Sequence, residues 1–330
     1  MPSAQVPQAV LICLLYLGGC ANSQQGPQFP AEYGRSLPRA VELDDTPFFP
    51  QTDYQCGPAA LATVLQAQGI NASPGTLSPQ VYLPGRKGSL QIEMIAATRR
   101  HHGLPYVLEA SFSSLLEEVA AGNPVLVLQN LGLSWLPRWH YAVVVGYDLD
   151  SEGLTLRSGT LKRRQTSFAV FKRTWQRTGS WALVIVPAGE VPATATVTAY
   201  LKTAHAFEET GLTEQATAAY RAATKRWPGQ GEAWLVSGNM AFADQRIDEA
   251  VADFLQATKL VPTDIRAWNN LAYALREQGC TAQAKAAVQC ALRIAPEDSN
   301  LRDSLQDIDH PVFKPQPEHC ERIHCGIPAL

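Results

Sequence analysis

The chain has 330 residues, 27 Lys and Arg against 30 Asp and Glu, and a formal net charge of −3. At roughly 150 residues per domain this length suggests about two domains. Apolar content is ordinary at 46%, and nothing in the global charge points to nucleic acid as a partner. The first apolar run, residues 10–19, is too short for a permanent membrane span and suits the h-region of a signal peptide.

That run ends in Leu17-Gly18-Gly19-Cys20, which resembles the lipobox of bacterial lipoproteins. The resemblance implies removal of residues 1–19 and acylation of the Cys20 sulfur, although no Lys or Arg precedes the apolar run. Ala21 in place of an acidic residue implies the outer membrane, with the protein facing the periplasm. A lipid-modified N-terminus makes the protein anchored to the membrane and not spanning it. Residues 20–46, rich in Pro, Gln and Gly, read as a tether.

A first domain is expected over residues 47–188. In QTDYQCGPAALATVLQAQG, residues 51–69, Pro58 suits the first turn of a helix, Leu61, Val64 and Leu65 share one helical face, and Gly69 is a terminator. Cys56 thus falls at a helix N-terminus, where orphan N–H groups and the macrodipole favour a thiolate. A buried, inert cysteine is the equally weighted alternative on placement alone. A Pro- and Gly-containing loop is expected around Pro74, Pro79, Pro84, Gly85 and Gly88, and a helix over 90–100 stopped by Gly103. Then come a short strand at 106–110, a helix capped by Ser111 and ended by Gly122, and an apolar strand at 124–129. The strongest strand is 140–147, HYAVVVGY, turning at 148–153 into a return strand at 154–157. Residues 168–171 and 181–186 read as further strands. Helices first and an antiparallel sheet after them indicate an α+β class.

His140 opens the strongest strand after a loop rich in Trp, Gly and Pro. A rigid strand end is a good seat for a general base; a satisfied edge histidine is the alternative. His101 and His102 follow Arg99 and Arg100 and read as a solvated helix cap. The basic residues between Arg157 and Arg177 read as a solvated sheet face, or else as a patch for anionic headgroups or an acidic substrate.

Together, a Gln before Cys56-Gly57-Pro58-Ala59-Ala60-Leu61, and residues 122–127 leading to His140-Tyr141-Ala142-Val143-Val144-Val145-Gly146-Tyr147-Asp148, resemble the bacteriocin-processing, double-glycine-leader cysteine peptidases. That family is papain-like. The resemblance implies Cys56 as nucleophile, His140 as base and a Gln side chain supporting the oxyanion. Gln51, five residues before Cys56 where the family has six, is preferred over the adjacent Gln55. The family's Asp in an Asp-Pro pair is replaced here by Ser158-Gly159, so Ser158 could orient the imidazole without a charge.

Residues 189–197 read as a small-residue linker. Beyond them a period of 34 residues relates Pro228, Pro262 and Pro296, then Tyr200, Trp234 and Trp268, and also two sets of alanines (Ala216, Ala250, Ala284; Ala223, Ala257, Ala291). Tyr220, Phe254 and Val288 fill the large position between them. This is the tetratricopeptide pattern. It implies an all-α solenoid over 198–308, of three repeats and a capping helix, with a concave surface for a protein partner or substrate.

The tail, 309–330, carries His319-Cys320 and His324-Cys325. These could ligate a soft metal, but an oxidising periplasm favours disulfides, to Cys280 or Cys290. Cys280 and Cys290 are kept apart by about 15 Å of helix. No metal or cofactor is assigned. The sequence therefore reads as a lipid-anchored periplasmic cysteine peptidase acting on a peptide or protein substrate. The alternatives are a non-catalytic lipoprotein scaffold whose repeats bind a partner, and an acyl or glutamyl transferase on the same fold.

Overall fold

The computed structural model describes residues 37–50, 55–310, 320 and 322–326. The signal segment, Cys20, most of the tether and Gln51 lie outside the described residues.

The chain opens with β1 (Ala40–Glu42), then α1 (Cys56–Ala67) and α2 (Pro74–Val81). A two-stranded ribbon, β2 (Tyr82–Leu83) and β3 (Gly88–Ser89), brackets a 3-10 turn at Pro84–Arg86. Next come α3 (Gln91–Arg100), β4 (Gly103–Val107), α4 (Phe112–Ala120), β5 (Val125–Asn130) and β6 (Trp139–Asp148). The first domain ends with β7 (Gly153–Ser158), β8 (Leu161–Ser167), α5 (Phe168–Gln176) and β9 (Ala182–Pro187).

One antiparallel sheet organises it, in the order β4-β9-β5-β6-β7-β8, with β1 also paired to β6. Strand β6 is the centre, joined to β5 from Val144 to Trp139 and to β7 from Val143 to Asp148. Its alternation separates two cores. Tyr141, Val143 and Val145 pack with Leu61, Val64 and Leu65 of α1. Ala142 and Val144 pack with Leu115, Leu116 and Val119 of α4 and Phe171 and Trp175 of α5. Helices thus cover both faces, which is the α+β architecture read from the sequence.

Three local readings are corrected. Residues 74–81 form a helix and not a loop: Ser73 and Thr76 make a reciprocal capping box and Pro74 occupies the first turn. Residues 168–171 begin a helix and not a strand, because Phe168, Phe171 and Trp175 bury one helical face and Ser167 caps it. Residues 40–42 are not tether but a strand, on the edge of β6 that β5 leaves open. Gly146 permits that approach, since a Cβ there would sit 2.7 Å from the Val41 carbonyl oxygen.

Arg157 is also corrected from a solvated charge. It is 3% exposed, and its guanidinium donates to the carbonyls of Leu43, Asp44, Thr46 and Lys162. Those bonds fasten the segment that leads toward Cys56.

The helical region runs through α6 (Val197–Glu209), α7 (Thr213–Arg226), α8 (Gly231–Ala243) and α9 (Ile247–Leu260). It continues with α10 (Ile265–Gln278), α11 (Thr281–Ile294) and α12 (Ser299–Asp309). The repeated alanines are buried, and Tyr220, Phe254 and Val288 are buried between them. Trp234 and Trp268 each donate an indole N–H to the carbonyl of the proline six residues earlier, at 2.9 and 2.8 Å. The 34-residue period is therefore one repeated set of contacts.

The junction is not a loose linker. The fully buried Glu118 of α4 accepts hydrogen bonds from the backbone N–H of Ala193 and Thr194, the Thr194 hydroxyl and the Asn123 amide. Tyr200, Ala204 and Phe207 of α6 share a core with Leu104 and Tyr106 of β4. At the other end, disulfides Cys280–Cys320 and Cys290–Cys325 lash the tail to the ends of α11. All four sulfurs are thereby committed, which closes the tail to thiolate metal ligation.

Candidate active site

Cys56 is the first residue of α1, half-buried, and a free thiol. It sits there because the Gly-Pro pair after it fits a helical first turn and Ala59 donates back to the Gln55 carbonyl. The helix lies close to the β2–β3 ribbon: a Cβ on Gly57 would fall 2.2 Å from Ser89 Oγ, so only glycine fits beside the cysteine. That Ser89 hydroxyl is buried without a hydrogen-bond partner among the described residues, while the Ser89 carbonyl accepts from Tyr141 at 3.2 Å.

His140 is the second residue of β6, held by pairing with Gln129 of β5. Its Nε2 lies 2.8 Å from the hydroxyl of Ser158, the last residue of β7. The expected serine thus meets the ring nitrogen, leaving Nδ1 as the other ring position. Burial, followed by the charges of Arg164 and Arg138, pulls the His140 pKa from 6.5 to about 4. The imidazole is therefore neutral at neutral pH. Burial, and secondarily the proximity of Cys56, pushes the Tyr141 phenol above its ordinary value.

Cys56 and His140 line one open groove of about 1320 Å³. Gln55, the rejected alternative, turns its side chain to accept from Ser78 Oγ in α2. Gln51 lies outside the described residues. His101 caps α3 and contacts Gln80 at 3.2 Å, away from the groove residues. Asp148 accepts from the N–H groups of Asp150 and Ser151 in the β6–β7 turn, so it serves the turn and not the imidazole.

Of the basic residues between Arg157 and Arg177, read from the sequence as a solvated face or else a patch for anionic headgroups or an acidic substrate, Arg164 and Arg177 line this groove; Arg86, Lys87 and Arg138 lie outside that run. Arg86, Lys87, Arg138, Arg164 and Arg177 all line it. They come from four places, the β2–β3 turn, the loop before β6, β8 and the end of α5, and the one signal available was the run of basic residues on β8. Sequence reasoning also missed the exposed apolar side chains of the loop before β6, Leu133, Trp135 and Leu136, which lead to the exposed Trp139 that lines the groove.

Residues 43–183 match the family described as Peptidase_C39 like family, and residues 201–265 and 254–286 match tetratricopeptide repeats. No curated protein matches the sequence. Among solved structures, a C39-like peptidase of Bacillus anthracis is 20% identical over 45% of this chain and 98% of its own, with a TM-score of 0.39. The peptidase domain of Streptococcus ComA, a bi-functional ABC transporter, is 20% identical over 43% of this chain and 98% of its own, at 0.36. The second TPR domain of human RPAP3 is 19% identical over 34% of this chain and 94% of its own, at 0.33. The chain thus joins a C39-like peptidase domain of α+β architecture to a helical tetratricopeptide region.

Proposed function

We propose that this chain is a membrane-anchored cysteine peptidase facing the periplasm, with its repeats recruiting substrate or partner. The observation that carries the chemistry is a free thiol at a helix start sharing a groove with an imidazole whose Nε2 is held by Ser158. Cys56 Sγ attacks the peptide carbonyl while its proton passes to His140 Nδ1. The C–N bond then breaks as the amine takes that proton, and water hydrolyses the thioester. Because burial and two arginines hold His140 neutral, proton transfer accompanies attack, without a standing imidazolium. Gln51 supports the oxyanion with the Cys56 N–H, and Ser158 orients the ring.

Two disulfides in the tail suit an oxidising compartment, and Cys20 supplies the anchor. A second groove of about 640 Å³, between Leu201 of α6 and Val236 of α8, is a place for a partner on the repeats. The neutral Ser158 at the third position favours the competing reading, a scaffold without catalysis.

Alkylation by iodoacetamide at pH 6 separates the two. Labelling of Cys56 that slows in His140→Ala, which loses the neutral base, together with peptide cleavage lost in Cys56→Ala, supports the peptidase. Slow labelling indifferent to His140 leaves the scaffold. Retention in the membrane fraction, lost in Cys20→Ser, tests the anchor.

A further inference from the structure

Among the described residues, the side chains lining the groove around Cys56 carry charge of one sign. Five cationic side chains line it, and among its described lining residues there is no Asp or Glu. The chain as a whole carries −3, so this is a local concentration and not an overall bias. Two acidic residues of this domain, Glu42 and Asp150, lie toward the opposite end of β6 from His140, where Glu42 takes Arg163 in a two-bond fork at 2.6 Å and Asp150 pairs with Arg39. Arg138 immediately precedes β6 and Arg164 lies on β8, so the two come from different strands to flank His140. Both are exposed at their positions. Their charge reaches the site, since both disfavour protonation of the His140 ring. Leu90, Leu128 and Tyr141 supply an apolar floor between the charged walls.

We infer that the substrate segment carries Asp or Glu side chains beside the bond that is cut, received by Arg138 and Arg164. An arginine fork matches a carboxylate in two parallel hydrogen bonds, which selects geometry as well as charge. An acidic segment would also be steered toward a groove lined by one sign of charge. This rests on the peptidase reading above.

The test digests a random decapeptide pool with the full chain, using Cys56→Ala as the blank, and reads cut sites by mass spectrometry. Asp and Glu are expected to be enriched within three residues of the cut. A matched peptide pair, Glu against Gln at the enriched position, is then compared. The acidic member is expected to have a kcat/KM higher by roughly two- to thirty-fold, the range for two exposed charge pairs. The gap should narrow at high salt and close in Arg138→Gln/Arg164→Gln. Cleavage without acidic preference, or a preference that survives the double variant, overturns the inference and leaves the peptidase standing. No Cys56-dependent cleavage removes both. Equal cleavage of the pair, with loss of binding to phosphatidylglycerol vesicles in the double variant, assigns the charges to a membrane surface and also overturns it.

Discussion

Ser158 is where the site has least redundancy, and changing it in two directions tests the arrangement. Its hydroxyl is the partner of His140 Nε2 at 2.8 Å, and the residue is 3% exposed, so bulk water is a poor replacement. Ser158→Ala leaves a buried ring nitrogen without its partner, a loss of ~1–3 kcal/mol. Expressed wholly in the transition state, that lowers the cleavage rate about 5- to 150-fold. Ser158→Asp acts oppositely. Burial, then Arg164 and Arg138, holds the ring at about 4. A carboxylate against it favours the imidazolium and should raise that pKa by ~1–3 pH units. The assay is the His140 ring titration by NMR in a Cys56→Ala background, with iodoacetamide labelling rates from pH 4 to 8 in the intact thiol. If the alanine variant labels as fast as the parent, and the aspartate variant titrates unchanged with unaltered thermal unfolding, then the serine does not orient this ring.

Stability should depend on pH through the same residue. Between pH 6.5 and about 4 the unfolded chain binds a proton at His140 that the folded chain refuses. Stability therefore falls as pH falls through that window, by about 3 kcal/mol at ~1.36 kcal/mol per pH unit. Urea melts of the parent and His140→Gln should diverge below pH 6.5, with the variant the less acid-sensitive. The bridges Cys280–Cys320 and Cys290–Cys325 close loops of 40 and 35 residues. Each should add roughly 4 kcal/mol by restricting the unfolded chain, so a reductant should lower the unfolding temperature of the repeats before that of the sheet domain, followed by circular dichroism. Glu118→Ala strips one acceptor from four donors at the domain junction. A loss of about 3 kcal/mol should show as faster proteolysis between residues 189 and 197, with Cys56 labelling retained.

The legible parts were those with a local signature. A glycine and a proline after Cys56 announce a helix start, and the apolar residues 141–145 announce the central strand β6. A period of 34 residues identifies the repeats without any tertiary information. What failed was also local. The prolines at 74 and 79 suggested a loop, yet Ser73 caps a helix that accommodates both. The apolar 168–171 suggested a strand, and only Trp175, one helical turn further on, reveals the spacing that buries Phe168 and Phe171 together. The groove cations were legible only as the run that holds Arg164 and Arg177, because Arg86, Lys87 and Arg138 join them only once the sheet is assembled. The disulfides were legible in part: the compartment argument joined the tail cysteines to Cys280 or Cys290, while which sulfur meets which depends on where the tail lies against α11.

Under the periplasmic location proposed above, the tail bridges set an order of events in export. A chain that enters an oxidising compartment N-terminus first delivers Cys280 and Cys290 before Cys320 and Cys325. While α11 is unformed, the two early thiols are linked by a short flexible stretch and can join in a small ring. Once wound, the helix rises about 1.5 Å per residue and holds them roughly 15 Å apart, beyond the reach of a bond between them. Rapid stacking of α11 on α10 thus keeps both sulfurs available for their late-arriving partners, and variants that slow this stacking should accumulate a misoxidised form that needs an isomerase to recover.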